Sequence, residues 1–92
     1  MIKSWKHKGL RDFFESGITK GIQSKHVKKL RIQLAVLSAA MEPKDLNLPG
    51  YNFHALLGKR KGEYSITVNA NWRITFQFEG RNAILVNYED YH

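Results

Sequence analysis

Tyr64-Ser65-Ile66-Thr67-Val68-Asn69, then Ala70-Asn71, then Trp72-Arg73-Ile74-Thr75-Phe76-Gln77-Phe78-Glu79 is the stretch that decides the fold. Tyr64, Ile66 and Val68 alternate with Ser65, Thr67 and Asn69, the period of a half-buried strand. After the short turn at Asn69-Ala70-Asn71, Trp72, Ile74, Phe76 and Phe78 point one way, and Arg73, Thr75, Gln77 and Glu79 the other. Gly80-Arg81-Asn82 makes a second turn, and Ala83 to Tyr88 is apolar enough for a strand buried on both faces. Turns this short join antiparallel neighbours, so three strands form a meander. Tyr51 to Leu56 is a candidate fourth strand and Ile2 to Trp5 a short edge strand.

Upstream, the period changes to that of a helix. Leu10, Phe13 and Phe14 precede Gly17, a stop signal. Lys25 to Met41 carries Val27, Leu30, Leu34, Leu37 and Met41 at steps of three and four, one apolar stripe on a helix with Ser24 as its N-cap. Pro43 forbids simple continuation. The expected architecture is α+β: two N-terminal helices on one face of a mostly antiparallel, twisted sheet of three to five strands, as a single domain over 1–92. The other face then carries Ser65, Thr67, Arg73, Thr75 and Gln77, which suits either a nucleic-acid cradle or a solvated sheet surface.

Composition narrows the function classes. Ninety-two residues hold one core. No apolar run is long enough to span a membrane, and the basic start is not followed by the apolar segment of a signal peptide. The absence of cysteine excludes a disulfide framework and fits a cytoplasmic setting. Fifteen Lys and Arg against eight Asp and Glu give a net charge of +7, a field suited to an acidic partner, nucleic acid above all. The candidate contacts are Lys25, Lys28 and Lys29, opposite the apolar stripe, and Lys59, Arg60 and Lys61 in the loop Gly58 to Gly62. Such runs are also commonly just solvated tips.

The four histidines have no metal-ligand spacing and no cysteine joins them. Gly58-Lys59-Arg60-Lys61-Gly62 lacks both the spacing and the Ser or Thr of a phosphate loop. What remains is His54, Arg73, Asp90, Tyr91 and His92, a set able to act on RNA without metal or other cofactor. RNA supplies its own nucleophile, the 2′-hydroxyl. Cleavage then needs a base, an acid for the leaving 5′-oxygen and a cation at the phosphorane. Each member also has an ordinary reading: a surface histidine, a cross-strand ion pair, a core-capping tyrosine, a frayed end.

A family resemblance bears on that choice. Phe53-His54, Gly58, Arg60, Gly62, Ile66, Val68, Asn71-Trp72-Arg73-Ile74-Thr75-Phe76 and Tyr88-Glu89-Asp90-Tyr91-His92 resemble the HigB toxins of the RelE/ParE superfamily. Ile2-Lys3-Ser4-Trp5, Lys8-Gly9-Leu10, Ala39, Glu42 and Leu46-Asn47-Leu48-Pro49-Gly50 extend the likeness over nearly the whole chain. The resemblance implies a RelE-like fold and a toxin of a type II toxin–antitoxin pair, an endoribonuclease that cuts mRNA in the ribosomal A site and inhibits translation. It implies a HigA-type helix-turn-helix antitoxin, through which the complex meets operator DNA. By position, the family's catalytic residues fall on His54, Arg73, Asp90, Tyr91 and His92. One departure stands out. Relatives often have lysine in a His-Pro-Leu-Lys-Gly stretch, whereas here the stretch is His54-Ala55-Leu56-Leu57-Gly58. Two other classes share the basic surface: a ParE-like gyrase poison and a nucleic-acid-binding module that does not cleave.

Overall fold

A computed structural model describes residues 1–91. His92, the last of the candidate catalytic residues, lies outside the described residues. Helix α1 (Lys8–Ser16) opens with the His7 side chain, whose Nδ1 accepts the Leu10 N–H at 2.9 Å. It closes at Gly17, where φ of +73° places the residue in the left-handed region and lets its N–H reach the Phe13 carbonyl. Helix α2 (Val27–Ala39) buries Leu30, Leu34 and Leu37 along the expected stripe.

Both ends of α2 differ from the sequence expectation. Ser24 does not cap it; it begins a 3-10 turn, Ser24–His26, that feeds into the helix. Lys25 therefore sits on this turn, while Lys28 and Lys29 occupy the first turn of α2. At the other end, Met41 is outside the helix and 60% exposed. The Asp45 carboxylate accepts the N–H groups of Met41 and Glu42 at 2.9 and 3.3 Å and fixes a 3-10 turn over Pro43–Leu46. That turn delivers Leu46, fully buried, to the core instead.

The sheet has the order β1-β2-β3-β4, with β1 (His54–Ala55), β2 (Tyr64–Asn69), β3 (Trp72–Glu79) and β4 (Asn82–Asp90), all antiparallel. The fourth strand expected over Tyr51 to Leu56 shrinks to the two residues of β1. The N-terminal segment runs parallel to β4 through bridges Ile2↔Ala83 and Trp5↔Val86, so the edge reading of Ile2 to Trp5 holds. The two helices cover one sheet face, and Leu10, Phe13, Leu30, Leu34, Leu37 and Leu46 meet Ile66, Val68, Ile74, Phe76, Val86 and Tyr88 there.

Strand β4 owes its apolar run to a different cause than burial on two faces. Thr75 pairs with Asn87, yet Gln77 pairs with Ile84, so β4 carries one extra residue. Leu85 takes φ of +53° at this bulge, and its N–H bonds the Ser4 hydroxyl at 2.8 Å. A bulge resets the in–out alternation. Ala83, Val86 and Tyr88 thus all reach the core, while Ile84 and Leu85 are only half-buried.

Candidate active site

The face of the sheet turned away from the helices is organised by cross-strand register. One row runs His54↔Ser65↔Thr75↔Asn87 and the next Thr67↔Arg73↔Glu89. At about 4.8 Å between strands, four positions extend over roughly 15 Å. Directly opposed residues share a face, so His54, Ser65, Thr67, Arg73, Thr75, Asn87 and Glu89 form one polar layer.

This layer is not a simple solvated surface. Ser65 and Thr75 are 0% and 1% exposed. They lie beneath longer polar side chains that close over them. Thr75 donates its hydroxyl to Glu89 Oε2 at 2.6 Å, and Ser65 Oγ lies 3.4 Å from His54 Nε2. The His54 Nδ1 is 3.0 Å from the Asn52 carbonyl. A carbonyl only accepts, so Nδ1 carries the proton and Nε2 of the neutral ring is left as an acceptor. That leaves the exposed ring with one basic nitrogen on the polar face.

Arg73 is half-buried in the middle of this face. Its Nη1 donates to the Thr67 hydroxyl, and its buried Nε has no hydrogen-bond partner among the described residues. Glu89, its cross-strand neighbour, is directed elsewhere. It accepts from Arg60 Nη1 and Nη2 at 2.8 Å each, from Thr75 Oγ1, and from Asn87 Nδ2 at 3.2 Å. The Arg60 guanidinium, helped by the Thr75 hydroxyl, holds the Glu89 carboxyl down at about 2 despite its burial. Arg60 also bonds Glu63 through Nε at 3.1 Å and Nη2 at 2.7 Å, lowering that carboxyl as well.

The expectation that Arg60 is a free phosphate-gripping cation of the loop therefore changes. Its guanidinium folds back over the sheet and is occupied by two carboxylates, with Cζ 5.5 Å from the centroid of the Tyr91 ring. Lys59 and Lys61 remain exposed on either side, and so do Lys25, Lys28 and Lys29. Tyr91 continues the Asn87, Glu89 phase onto the polar face, and its N–H bonds the Asn71 carbonyl at 2.8 Å. Asp90 takes the opposite phase, in register with Trp72, at the exposed end of β4. The structure thus brings His54, Arg73 and Tyr91 to one face, leaves Asp90 at its rim, and does not describe His92.

Ser65 and Thr75 lie on this face as the strand alternation indicated, and Glu89 and Glu63 join it although the sequence pattern does not place them there. The register of β4 would have revealed Glu89, because Asn87, Glu89 and Tyr91 share a phase. The bulge at Leu85 hides that phase from a reading that starts upstream. Among the described residues no group of three or more His, Asp or Glu is placed to hold a metal ion.

Residues 3–92 match the family described as the RelE-like toxin of type II toxin–antitoxin system HigB. The chain belongs to this family. It is 50% identical to "Endoribonuclease HigB" of Proteus vulgaris across 92 residues, which is the full length of both proteins. In fold it is similar to the crystal structure of a point mutant of YafQ from E. coli. There the TM-score is 0.60 at 16% identity, covering 98% of this chain and 93% of that one. As a member of the HigB-like family, the chain has the α+β fold that the alternating stretch indicated.

Proposed function

We propose that this chain is the toxin of a type II toxin–antitoxin pair and acts as an endoribonuclease, cutting ribosome-bound mRNA and so blocking translation. Full-length identity of 50% to a HigB endoribonuclease supports the activity, and membership of a type II family implies an antitoxin partner. The antitoxin is proposed to be of the HigA helix-turn-helix type, carrying the pair to its operator DNA. The site of action is the ribosome in the cytoplasm. No helix among the described residues is long and apolar enough to cross a membrane.

The observation that carries the chemical reading is the placement of His54 and Arg73 in adjacent cross-strand rows of one sheet face, with Tyr91 following β4 in the phase of Glu89. In the proposed reaction the RNA 2′-hydroxyl attacks the adjacent phosphorus as it loses its proton. The P–O5′ bond breaks, and the leaving oxygen takes a proton. The product is a 2′,3′-cyclic phosphate, or a 3′-phosphate after hydrolysis. Arg73 stabilises the charge on the phosphorane, having a half-buried guanidinium whose Nε has no hydrogen-bond partner among the described residues. His92 and Asp90 are the candidates for proton transfer. The acceptor nitrogen of His54 is the second acid–base or phosphate-contacting group. Tyr91, with Arg60 Cζ over its ring at 5.5 Å from the centroid, stacks on a base. Lys25, Lys28, Lys29, Lys59 and Lys61 contact ribosomal RNA phosphates.

The test is toe-printing of cuts in a defined mRNA during in-vitro translation. Arg73→Ala is expected to lower the cleavage rate by about 10²–10³-fold, and His54→Ala and His92→Ala by about 10²–10⁴-fold each. Cuts at full strength in Arg73→Ala and His92→Ala would overturn the assignment. Blocked DNA supercoiling without any cuts would point to a gyrase poison instead.

A further inference from the structure

Glu89 and Arg73 face each other across β3 and β4, and opposite charges in that relation ordinarily pair. Here they do not: among the described residues Glu89 has its ion pair with Arg60, which comes from the loop between β1 and β2. The Arg60–Glu89 contact is the bidentate fork that arginine makes best with a carboxylate. Thr75 and Asn87 take further lone pairs of the same carboxylate. Glu63 holds Arg60 from the other side.

We propose that Arg60 is a positioning residue which keeps the Glu89 carboxylate away from Arg73, so that Arg73 retains its charge for a phosphate. This rests on the nuclease reading for the identity of the anion, an RNA phosphate, but the charge sorting itself is a property of the fold. The two guanidiniums divide the work. Arg60 engages both acids of the polar face, Glu89 and Glu63, and Arg73 is left half-buried with a buried Nε that has no partner among the described residues. Removing Arg60 would strand a partly buried carboxylate beside the remaining cation, and an uncompensated buried charge takes the nearest available partner. Arg73 would then be quenched without being touched. The same guanidinium lies over the Tyr91 ring, so the fork also sets the base-stacking ring against the polar face.

The experiment compares wild type, Arg60→Leu and Arg60→Leu/Glu89→Gln in two readouts. The first is single-turnover mRNA cleavage on programmed ribosomes. Arg60→Leu is expected to be about 10²-fold slower, comparable to losing a fixed cation. The double variant should regain at least about tenfold of that loss, because the competing carboxylate is gone. An Arg60 that acts through packing alone gives no such rescue, and one that acts through stability alone gives a recovery of activity only in step with the melting temperature of the double variant. The second readout is independent of catalysis. It is the response of the Arg73 Nε–H resonance to inorganic phosphate, expected in wild type, abolished in Arg60→Leu and restored in the double variant. Arg60→Lys and Arg60→Lys/Glu89→Gln carry the same comparison if leucine prevents folding, with smaller changes of the same sign, because lysine keeps the charge but not the fork. A double variant as slow as Arg60→Leu, or an unaltered phosphate response in Arg60→Leu, would overturn the inference. If wild type does not cut mRNA while the phosphate response follows the expected order, the nuclease reading fails and the role of Arg60 stands.

Discussion

Arg60 and Glu89, twenty-nine residues apart, meet through two hydrogen bonds of 2.8 Å each. This contact fastens the β1–β2 loop to the last strand and fills the polar face of the sheet from outside. It also predicts an acid response. The Glu89 carboxyl is held at about 2, against an ordinary 4.5. Its folded value is depressed, so its stabilising contribution is present above the unfolded value and is lost as pH falls through the folded one. Thermal melts of wild type and Glu89→Gln should therefore differ most above pH about 5 and converge as pH approaches about 2. A gap that stays constant over this range would show that the carboxylate is not what Arg60 stabilises.

His26 gives a second pH dependence, near neutrality. It is buried, with Nδ1 2.6 Å from the Tyr88 hydroxyl and Nε2 without a partner among the described residues. Burial, and then the charges of Lys25 and Lys29, hold its imidazole below the usual 6.5. The unfolded chain therefore binds this proton more readily than the folded one, and stability is lost as pH falls below 6.5. His26→Asn should flatten the melting temperature between about pH 7.5 and about pH 5.5 relative to wild type. His7, also lowered by burial, adds a slope of the same sign. Parallel curves for the two proteins would rule the effect out.

Leu57 stands where the resemblance to the family leads to the expectation of a lysine, and it is 84% exposed. A surface change of this kind typically alters stability by less than about 0.5 kcal/mol. Leu57→Lys should thus leave the melting temperature in place. If the added charge reaches the RNA, the slope of log affinity against log salt should steepen by about 0.7–0.9. Equal slopes for the two proteins would place position 57 outside the RNA interface.

The exposed lysines of the α2 entrance and of the loop make separable contributions. Replacing Lys25, Lys28 and Lys29 together by Ala should weaken ribosome binding and reduce the salt slope by about 0.7 for each phosphate no longer neutralised. The Lys59→Ala/Lys61→Ala pair gives the same readout for the loop. Arg60, occupied by two carboxylates, should not behave as a member of that group. Binding unaltered by the triple substitution would remove α2 from the interface.

Local pattern alone determined the helical first half, the β2–β3–β4 meander, the core stripe of Leu30, Leu34 and Leu37, and the phase that sends Arg73 to the face without helices. Side-chain period is a property of the backbone, so it can be read wherever the alternation is regular. The family likeness also lies in contiguous residues, Asn71 to Phe76 and Tyr88 to His92. The tertiary structure decided what no local period encodes. Asp45 ended α2 early and gave the place expected for Met41 to Leu46. The bulge at Leu85 reset the phase of β4 and put Glu89 and Tyr91, with Asp90 at the rim, around Arg73. The loop carried Arg60 across the sheet to Glu89. Contacts between residues far apart in sequence depend on register and on which charge the fold brings within reach of a shared carboxylate, and those are settled only once the strands are side by side.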